Sequence, residues 1–337
     1  MIKHITPLFL FFLVFTACNS SPLDVDVSDI KLDVNLHRFD VELFNAQSIS
    51  EIDALNQEFL NKGGELYEFY TIEMLRVGSP FDDSIAVFLN FFVQDSMMQM
   101  VNDNVQTKFG DFETEKNQII NMFKHLKYHI PHAILPEDII TYNSTFANGV
   151  ISTPSNIGLG LEMYLGMDNK IIEKLPYPEY FKFKMSSEYL MPDIAQSWLV
   201  NNVIENQSGD DFLSNMLYYG KILYVVDAML PEMENHYKMR YTQLEYEWAE
   251  VSEYNIWQHI VVEEWIYSKD MKLIVRYFNE GPTTVGLEDS PARIGQYLGW
   301  KIIKAFMEKN PDLTLLDLIA ENNQSKILKA YKPKEIN

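Results

Sequence analysis

The amino-acid sequence predicts an α+β fold that is mostly α-helical, with a single large domain and a small antiparallel sheet. Apolar residues recur at intervals of three and four over most of the chain, which is the period of a helix with one buried face. One stretch, 138–165, is instead rich in strand-forming and turn-forming residues. Because no clean linker follows residue 30, one domain is the simplest arrangement of these elements.

The N-terminal residues predict a signal peptide over 1–17 and a lipid on the next residue. Residues 5–15 are nearly all apolar. This stretch is too short to cross a membrane as a helix, which takes roughly 20 residues, but it has the length of a signal-peptide core, about 7–15 residues. Two small residues then lead to Cys18, the single cysteine of the chain. We therefore predict that Cys18 is acylated and begins the mature protein; the alternative is an ordinary secretory signal.

The charge of the chain excludes one class of partner. Its 337 residues include 48 acidic and 27 basic side chains, which give a formal net charge of −21. A surface this negative repels phosphate backbones and anionic lipid headgroups, so we predict no nucleic-acid partner. The lipid, and not a basic patch, would supply the affinity for a membrane. No later segment reaches about 18 uninterrupted apolar residues, so no transmembrane helix is expected.

Three regions follow the predicted signal peptide. Residues 18–30 are short, polar and acidic, and we interpret them as a lipidated tether. A helix-rich domain then extends over 31–330, and a polar tail over 331–337 completes the chain. Apolar and polar side chains alternate along 31–40, which predicts a strand at the start of the domain.

Helical spacing dominates the domain on both sides of the predicted sheet. Before the sheet it extends over 41–129. Within the sheet region, Asn148 and Gly149 form a strong turn dipeptide between two strand-like runs, which indicates a hairpin. After the sheet, the segments with helical spacing are 186–204, 211–228, 241–250, 252–268 and 290–308. Ser290 and Pro291 predict the start of the last helix, with serine as the N-cap and proline at the first position.

Two pairs of side chains have the spacing of metal ligands on one helical face. His125 and His129 are four residues apart, and so are His259 and Glu263. Each pair supplies two ligands, whereas zinc takes about four, three of them from the protein in a catalytic site. Because this spacing also arises by chance, the alternatives are polar surface residues for the first pair and a hydrogen-bonded histidine at the edge of the core for the second. No His-Glu-x-x-His or Gly-x-Ser-x-Gly motif is present, so the sequence assigns no catalytic residue and no cofactor.

Five short motifs occur along the sequence in a specific order and at specific spacings. They are Leu36–Asp40; Met191, Pro192 and Asp193; 218–231, which includes Gly220 and Asp227; 255–270; and Ser290–Ile303, which includes Pro291, Arg293, Gly295, Gly299 and Trp300. Together with the lipoprotein start, they resemble the gliding-motility lipoprotein B (GldB) family of gliding Bacteroidetes over nearly the whole chain. The resemblance implies a lipid-anchored cell-envelope protein that faces the periplasm and is required for gliding. Its implied partners are other envelope proteins of the gliding apparatus and of the type IX secretion system.

A second resemblance concerns the mechanism. The sheet, the helix after it and the late Pro-x-x-x-Gly-x-x-x-Gly segment of Pro291, Gly295 and Gly299 are similar to a group of predicted zinc peptidases. In that group the helix after the sheet carries His-Glu-x-x-His, whereas Tyr189–Ala195 of this chain contains no histidine. The resemblance implies a degenerate zincin-like scaffold without its metal, in which the cleft remains as a peptide-binding groove.

These observations favour a non-catalytic envelope lipoprotein that works through protein–protein contacts. Two alternatives stay open at this point. One is a divergent metal-dependent peptidase or hydrolase that uses His259 and Glu263. The other is a lipoprotein that binds a small ligand in an apolar pocket.

Overall fold

The computed structural model describes residues 22–206, 209–287 and 289–335, so the signal peptide and Cys18 lie outside the described residues. Helices make up most of the described chain, as the apolar spacing predicts. The α-helices are α1 Phe39–Asn45, α2 Ile49–Gly63, α3 Glu65–Phe69, α4 Ile85–Gln94, α5 Ser96–Phe109, α6 Glu113–His129, α7 Lys170–Lys174, α8 Glu179–Phe183, α9 Leu190–Asn202, α10 Phe212–Met229, α11 Asn235–Met239, α12 Gln243–Val262, α13 Met271–Phe278, α14 Ile294–Lys309, α15 Leu315–Ala320 and α16 Gln324–Leu328. The strands are β1 Asn35–Arg38, β2 Asp138–Tyr142, β3 Val150–Ser152 and β4 Asn156–Gly160.

The strands of the described chain form one mixed sheet in the order β1–β2–β4–β3. The predicted antiparallel pairing holds only for β3 and β4, because β1 pairs with β2 and β2 with β4 in parallel. Parallel neighbours need a long crossover, and helices α1–α6 provide it between β1 and β2. The hairpin predicted at Asn148 and Gly149 is wrong, since β4 lies between β2 and β3.

The sheet separates two hydrophobic cores. Along β2, Ile139 faces the larger core and Ile140 the smaller one, as the alternation of strand side chains requires. The smaller core fills the space between the sheet and helices α1–α4, with Phe39 and Phe59 buried at its centre. The larger core lies on the opposite face, where β4 packs with α6, α9, α10 and α14. The chain therefore buries both faces of a short sheet without any disulfide.

Helices α10 and α14 pack backbone against backbone in the larger core. A β-carbon on Gly220 would lie 2.3 Å from the carbonyl oxygen of Gly299. A β-carbon on Gly299 would lie 1.9 Å from the carbonyl oxygen of Met216. Because neither distance leaves room for a side chain, the two glycines set how closely the helices approach each other.

The predicted start of α14 is wrong by three residues, since Pro291 was expected at the first helical position and Ile294 is found there. Ser290 does not cap the helix, because its hydroxyl donates to the carbonyl oxygen of Pro291, 2.8 Å away. The helix begins at Ile294, after Arg293 in the left-handed conformation with φ 58°. That turn directs the guanidinium of Arg293 into the interior, where it donates to the carbonyl oxygen of Met239. The inward position of the Arg293 guanidinium thus accompanies a later start of α14 than the Ser-Pro capping signal predicts.

The described residues at both ends of the chain pack against the domain. Val27 of the predicted tether is buried, and the carbonyl oxygen of Leu23 lies 3.2 Å from Nε2 of His129 on α6. Tyr331, the first residue of the predicted tail, is buried, and its hydroxyl donates to Glu253 over 2.9 Å. Among the described residues, no helix combines the length and the apolar character that crossing a membrane requires.

Candidate functional site

A cavity of about 360 Å³ opens beside the edge of the sheet. The loop before β3 forms one side of it, residues 147–150, and the first turns of α9 form another. Met163, Phe181 and Met185 contribute apolar surface to its wall. Four charged side chains also line it, and they are Lys184, Asp193, Arg240 and Arg293. The cavity therefore combines apolar walls with a concentrated group of charges.

Asp193 is held in place by two partners. Pro192 and Asp193 lie in the first turn of α9, where proline is compatible with a helix, as the sequence predicts. One carboxylate oxygen of Asp193 accepts a hydrogen bond from Nη1 of Arg240 over 2.8 Å, and the other accepts one from the hydroxyl of Tyr164 over 2.9 Å. Burial raises the pKa of the Asp193 carboxyl, and the charge of Arg240 opposes this shift. A partly buried ion pair thus fixes the carboxylate in the first turn of α9.

Glu280 bridges the other two cations of the cavity. One of its oxygens accepts a hydrogen bond from Nζ of Lys184, and the other lies 3.0 Å from Nε of Arg293. Burial lowers the pKa of Lys184, and the neighbouring charge of Arg293 lowers it further. The three cations Lys184, Arg240 and Arg293 thus outnumber the two carboxylates with which they pair, those of Asp193 and Glu280. The cavity is locally cationic in a chain of net charge −21.

A buried carboxyl group, that of Glu162, anchors the loop that forms the rim of the cavity. Its Oε1 accepts hydrogen bonds from the backbone nitrogen of Ser144 over 2.7 Å, from the Ser144 hydroxyl over 2.5 Å and from the backbone nitrogen of Phe146 over 3.1 Å. Thr145 and Phe146 have φ values of 57° and 63°, a conformation that non-glycine residues rarely adopt. Burial raises the pKa of Glu162 to about 7. One titratable group therefore makes three of the hydrogen bonds that hold the loop at the rim.

The structure places His259 and Glu263 at the end of α12. The ring of His259 packs edge-on against Trp265, with 4.8 Å between the ring centroids. Glu263 is the C-cap residue of the helix. Within 22–206, 209–287 and 289–335, no group of three or more histidine, cysteine, aspartate or glutamate side chains has the arrangement of a metal site.

His125 and His129 lie on the inner side of α6, beside the N-terminal segment. His125 is buried, and burial lowers its pKa, with a further contribution from the nearby His129. Burial also lowers the pKa of His129, although its contact with the carbonyl oxygen of Leu23 works in the opposite direction. Both rings therefore sit in the packing between α6 and the start of the described chain.

The remaining family-motif positions lie mostly in the packing of the larger core. Asp227 on α10 accepts a hydrogen bond from the indole of Trp300 over 2.7 Å and one from Lys238 over 3.1 Å, and it pairs with Lys304 over 3.2 Å. A β-carbon on Gly295 would meet the ring of Phe278 at 2.7 Å. The other buried motif residues are Met191, Pro192, Ser290 and Pro291. Of the motif positions, Asp193 and Arg293 are the two that line the cavity.

Reasoning from the sequence missed four residues of the site. Lys184, Arg240 and Glu280 show no local signal, because each finds its partner far along the chain. Glu162 does show one: it is a lone acidic residue in the apolar run Ile157–Leu165. Such a residue in a strand-like run predicts either an exposed side chain or a buried group with several hydrogen-bond donors.

Fold and site together define a helix-rich α+β protein with a charged cavity beside an edge strand. The family model described as gliding motility protein GldB matches residues 20–333, and the chain belongs to this family. The resemblance carried by the five sequence stretches is thereby confirmed. The chain is a gliding motility-associated protein. The lipoprotein designation of the family model indicates a cell-envelope lipoprotein. No curated protein and no solved structure matches the chain.

Proposed function

We propose that this protein is a non-catalytic, lipid-anchored component of the gliding apparatus that faces the periplasm and binds a peptide segment of another envelope protein. The cavity beside β3 is the observation that carries the proposal. In this role the protein acts by holding a partner, together with the type IX secretion machinery, and not by chemical conversion.

The position of the cavity favours an extended peptide as the bound segment. β3 is the outer strand in the order of the sheet, so within the described chain one of its sides pairs with no other strand. An added strand gains main-chain hydrogen bonds from such an edge, and adjacent pockets select its side chains. Asn202 of α9 holds the far end of β3 through the carbonyl oxygen of Thr153, while Val150 at its start lines the cavity. A peptide along this edge would therefore place side chains in the cavity.

Replacing Cys18 with serine is expected to release the protein from the membrane and to abolish spreading of the cells. Serine cannot form the thioether to the lipid, and the acidic body has no other source of membrane affinity in this proposal. Fractionation of the cells into membrane and soluble parts, together with measurement of colony spreading, tests both effects. Ser21→Ala is the matched control and should behave like the wild type. A Cys18→Ser protein that stays in the membrane fraction and supports spreading would contradict the lipid anchor.

A photo-crosslinking amino acid at position 147 is expected to capture an envelope protein in living cells. Ala147 is exposed at the rim of the cavity, so the added side chain reaches a bound peptide without entering the core. Leu244 on α12 is 78% exposed and lies outside the cavity, and the same amino acid there is the matched control. Capture of a defined partner from position 147 alone supports the proposal. Capture from both positions alike, or from neither, argues against it.

A further inference from the structure

We propose that the cavity recognises a carboxylate, and that Arg240 is the residue that binds it. This inference deepens the proposed function, since it rests on the peptide site beside β3 and specifies the chemistry of the peptide. The favoured form of the ligand is a peptide with a free carboxylate next to an apolar side chain.

Two of the three cations in the cavity are already committed to protein partners. Lys184 binds Glu280, and Arg293 binds both Glu280 and the carbonyl oxygen of Met239. Their side chains are only 4% and 8% exposed. They therefore contribute a fixed positive field to the cavity, but they have little surface left for a ligand.

Arg240 is the cation that remains available. Within the described chain its guanidinium makes a single hydrogen bond, from Nη1 to Asp193, although the group carries five donors. The side chain is 27% exposed, in contrast to Lys184 and Arg293. The planar fork of a guanidinium matches the two oxygens of a carboxylate. Arginine is therefore common at sites that bind a carboxylate through two parallel hydrogen bonds.

The surroundings of Arg240 hold it in one orientation. Asp193 fixes one edge of the guanidinium, and Tyr164 in turn fixes Asp193. The guanidinium carbon also lies 6.0 Å from the centre of the Tyr189 ring. Because these contacts restrict the side chain before any ligand arrives, little conformational entropy would be lost on binding.

The backbone of Arg240 has a conformation that is unusual for a residue with a side chain. The residue ends α11 in the left-handed conformation, with φ 56°. Glycine is the usual residue at such a helix end, because a β-carbon makes this conformation unfavourable. Arg240 thus keeps its place in the wall of the cavity despite a backbone conformation that favours glycine.

The walls of the cavity define the group next to the carboxylate. Met163, Phe181 and Met185 present apolar surface beside the charged group. Methionine side chains adapt to ligands of different shape, so the cavity suits an apolar residue without selecting a single one. An acidic side chain within a peptide offers the same carboxylate chemistry as a free chain end, and the two sources differ in where the main chain continues.

Calorimetric titration of the full-length protein with short peptides tests the proposal. The probes are acetyl-Ala-Ala-Leu with a free carboxylate, the same peptide as its carboxamide, acetyl-Ala-Glu-Leu carboxamide, and inorganic phosphate. We expect the free acid to bind about tenfold or more tightly than its carboxamide, since the loss of one charge-assisted pair of hydrogen bonds has an effect of this size. Tighter binding of the glutamate-containing carboxamide than of the free acid would assign the carboxylate to a side chain and still support the proposal, whereas equal binding would mean that the cavity accepts either source.

Variants of Arg240 locate the effect. Arg240→Gln should reduce binding of the free acid to the level of the carboxamide, and Arg240→Lys, which keeps the charge without the fork, should give an intermediate value. Arg276→Gln removes an exposed arginine of α13 and should bind like the wild type. The comparison of acid and carboxamide on the wild-type protein needs no variant, so it holds even if a substitution unfolds the protein.

Several results would overturn the proposal. They are equal binding of acid and carboxamide, unchanged binding of the acid to Arg240→Gln, binding of phosphate but not of the acid, and no binding of any probe at millimolar concentration. The proposed function fails separately, if position 147 captures no specific partner. Capture at position 147 without discrimination between acid and carboxamide would leave the peptide site standing and refute the role of the carboxylate.

Discussion

Replacing Gly299 with alanine is expected to lower the free energy of unfolding by about 3 kcal/mol, at the upper end of what overpacking costs in a core. The added β-carbon would lie 1.9 Å from the carbonyl oxygen of Met216, and a rigid helix backbone cannot give way as a flexible side chain can. Helices α10 and α14 must then separate along their contact. Chemical or thermal unfolding of the purified protein, followed by circular dichroism, measures the change.

Gly281→Ala is the matched control for Gly299→Ala. A β-carbon on Gly281 would meet its nearest neighbour, the carbonyl oxygen of Thr283, at 3.5 Å, which is ordinary van der Waals contact. We expect this variant to unfold within about 0.5 kcal/mol of the wild type, as surface substitutions usually do. If Gly299→Ala were as stable as Gly281→Ala, the close backbone packing of α10 on α14 would be wrong.

Much of the helical architecture was predictable because helix formation leaves a local record. The three- and four-residue spacing located α9 and α10 within a few residues of their observed bounds. Thr242 and Glu245 form a capping box that starts α12, and the helix then continues to Val262 without the break expected near 251. The sheet was less predictable, because strand order depends on where helices α1–α6 return the chain. The residues around Asn148 and Gly149 contain no local signal that β4 lies between β2 and β3 in the sheet.

The candidate site was predictable only in part, for the same physical reason. Asp193 and Arg293 were identified from the sequence because the short motifs that contain them resemble those of a family. Arg240 pairs with Asp193 over a sequence separation of 47 residues, and no periodicity or composition reveals such a pair. The Ser-Pro signal before α14 was overridden because Arg293 turns inward to Met239 and Glu280. Local rules thus failed where charged side chains meet around the cavity, and the ion pairs there could not be inferred from one segment at a time.

The buried carboxyl of Glu162 connects the stability of the protein to pH. Its pKa is raised from 4.5 to about 7 by burial, so between these values the folded protein holds a proton that the unfolded chain releases. The stability associated with this proton is fully present below about pH 4.5 and is lost as the pH rises through about 7. Because Oε1 accepts hydrogen bonds from Ser144 and Phe146, the part of the fold next to this proton is the rim of the cavity.

Glu162→Gln is expected to remove this pH dependence. The amide oxygen of glutamine keeps the acceptor role of Oε1, and the amide has no proton to lose, so its contribution stays constant. The free energy of unfolding of the variant should therefore rise by about 2 kcal/mol relative to the wild type between pH 5 and pH 8, for a shift of this size. Denaturant unfolding at a series of pH values measures the difference. Using the slope of this difference, and not its absolute value, excludes any constant effect of the new amide.

Glu247→Gln provides the matched control, because it removes the same charge from an exposed position on α12. Its difference from the wild type should stay flat over the same pH range, since that carboxylate remains in contact with water in both states. A flat difference for Glu162→Gln as well would mean that Glu162 is not buried as a proton-holding group. A rising difference for Glu162→Gln alone would tie the stability of the fold to the protonation of this one side chain, which holds the loop at the rim of the cavity.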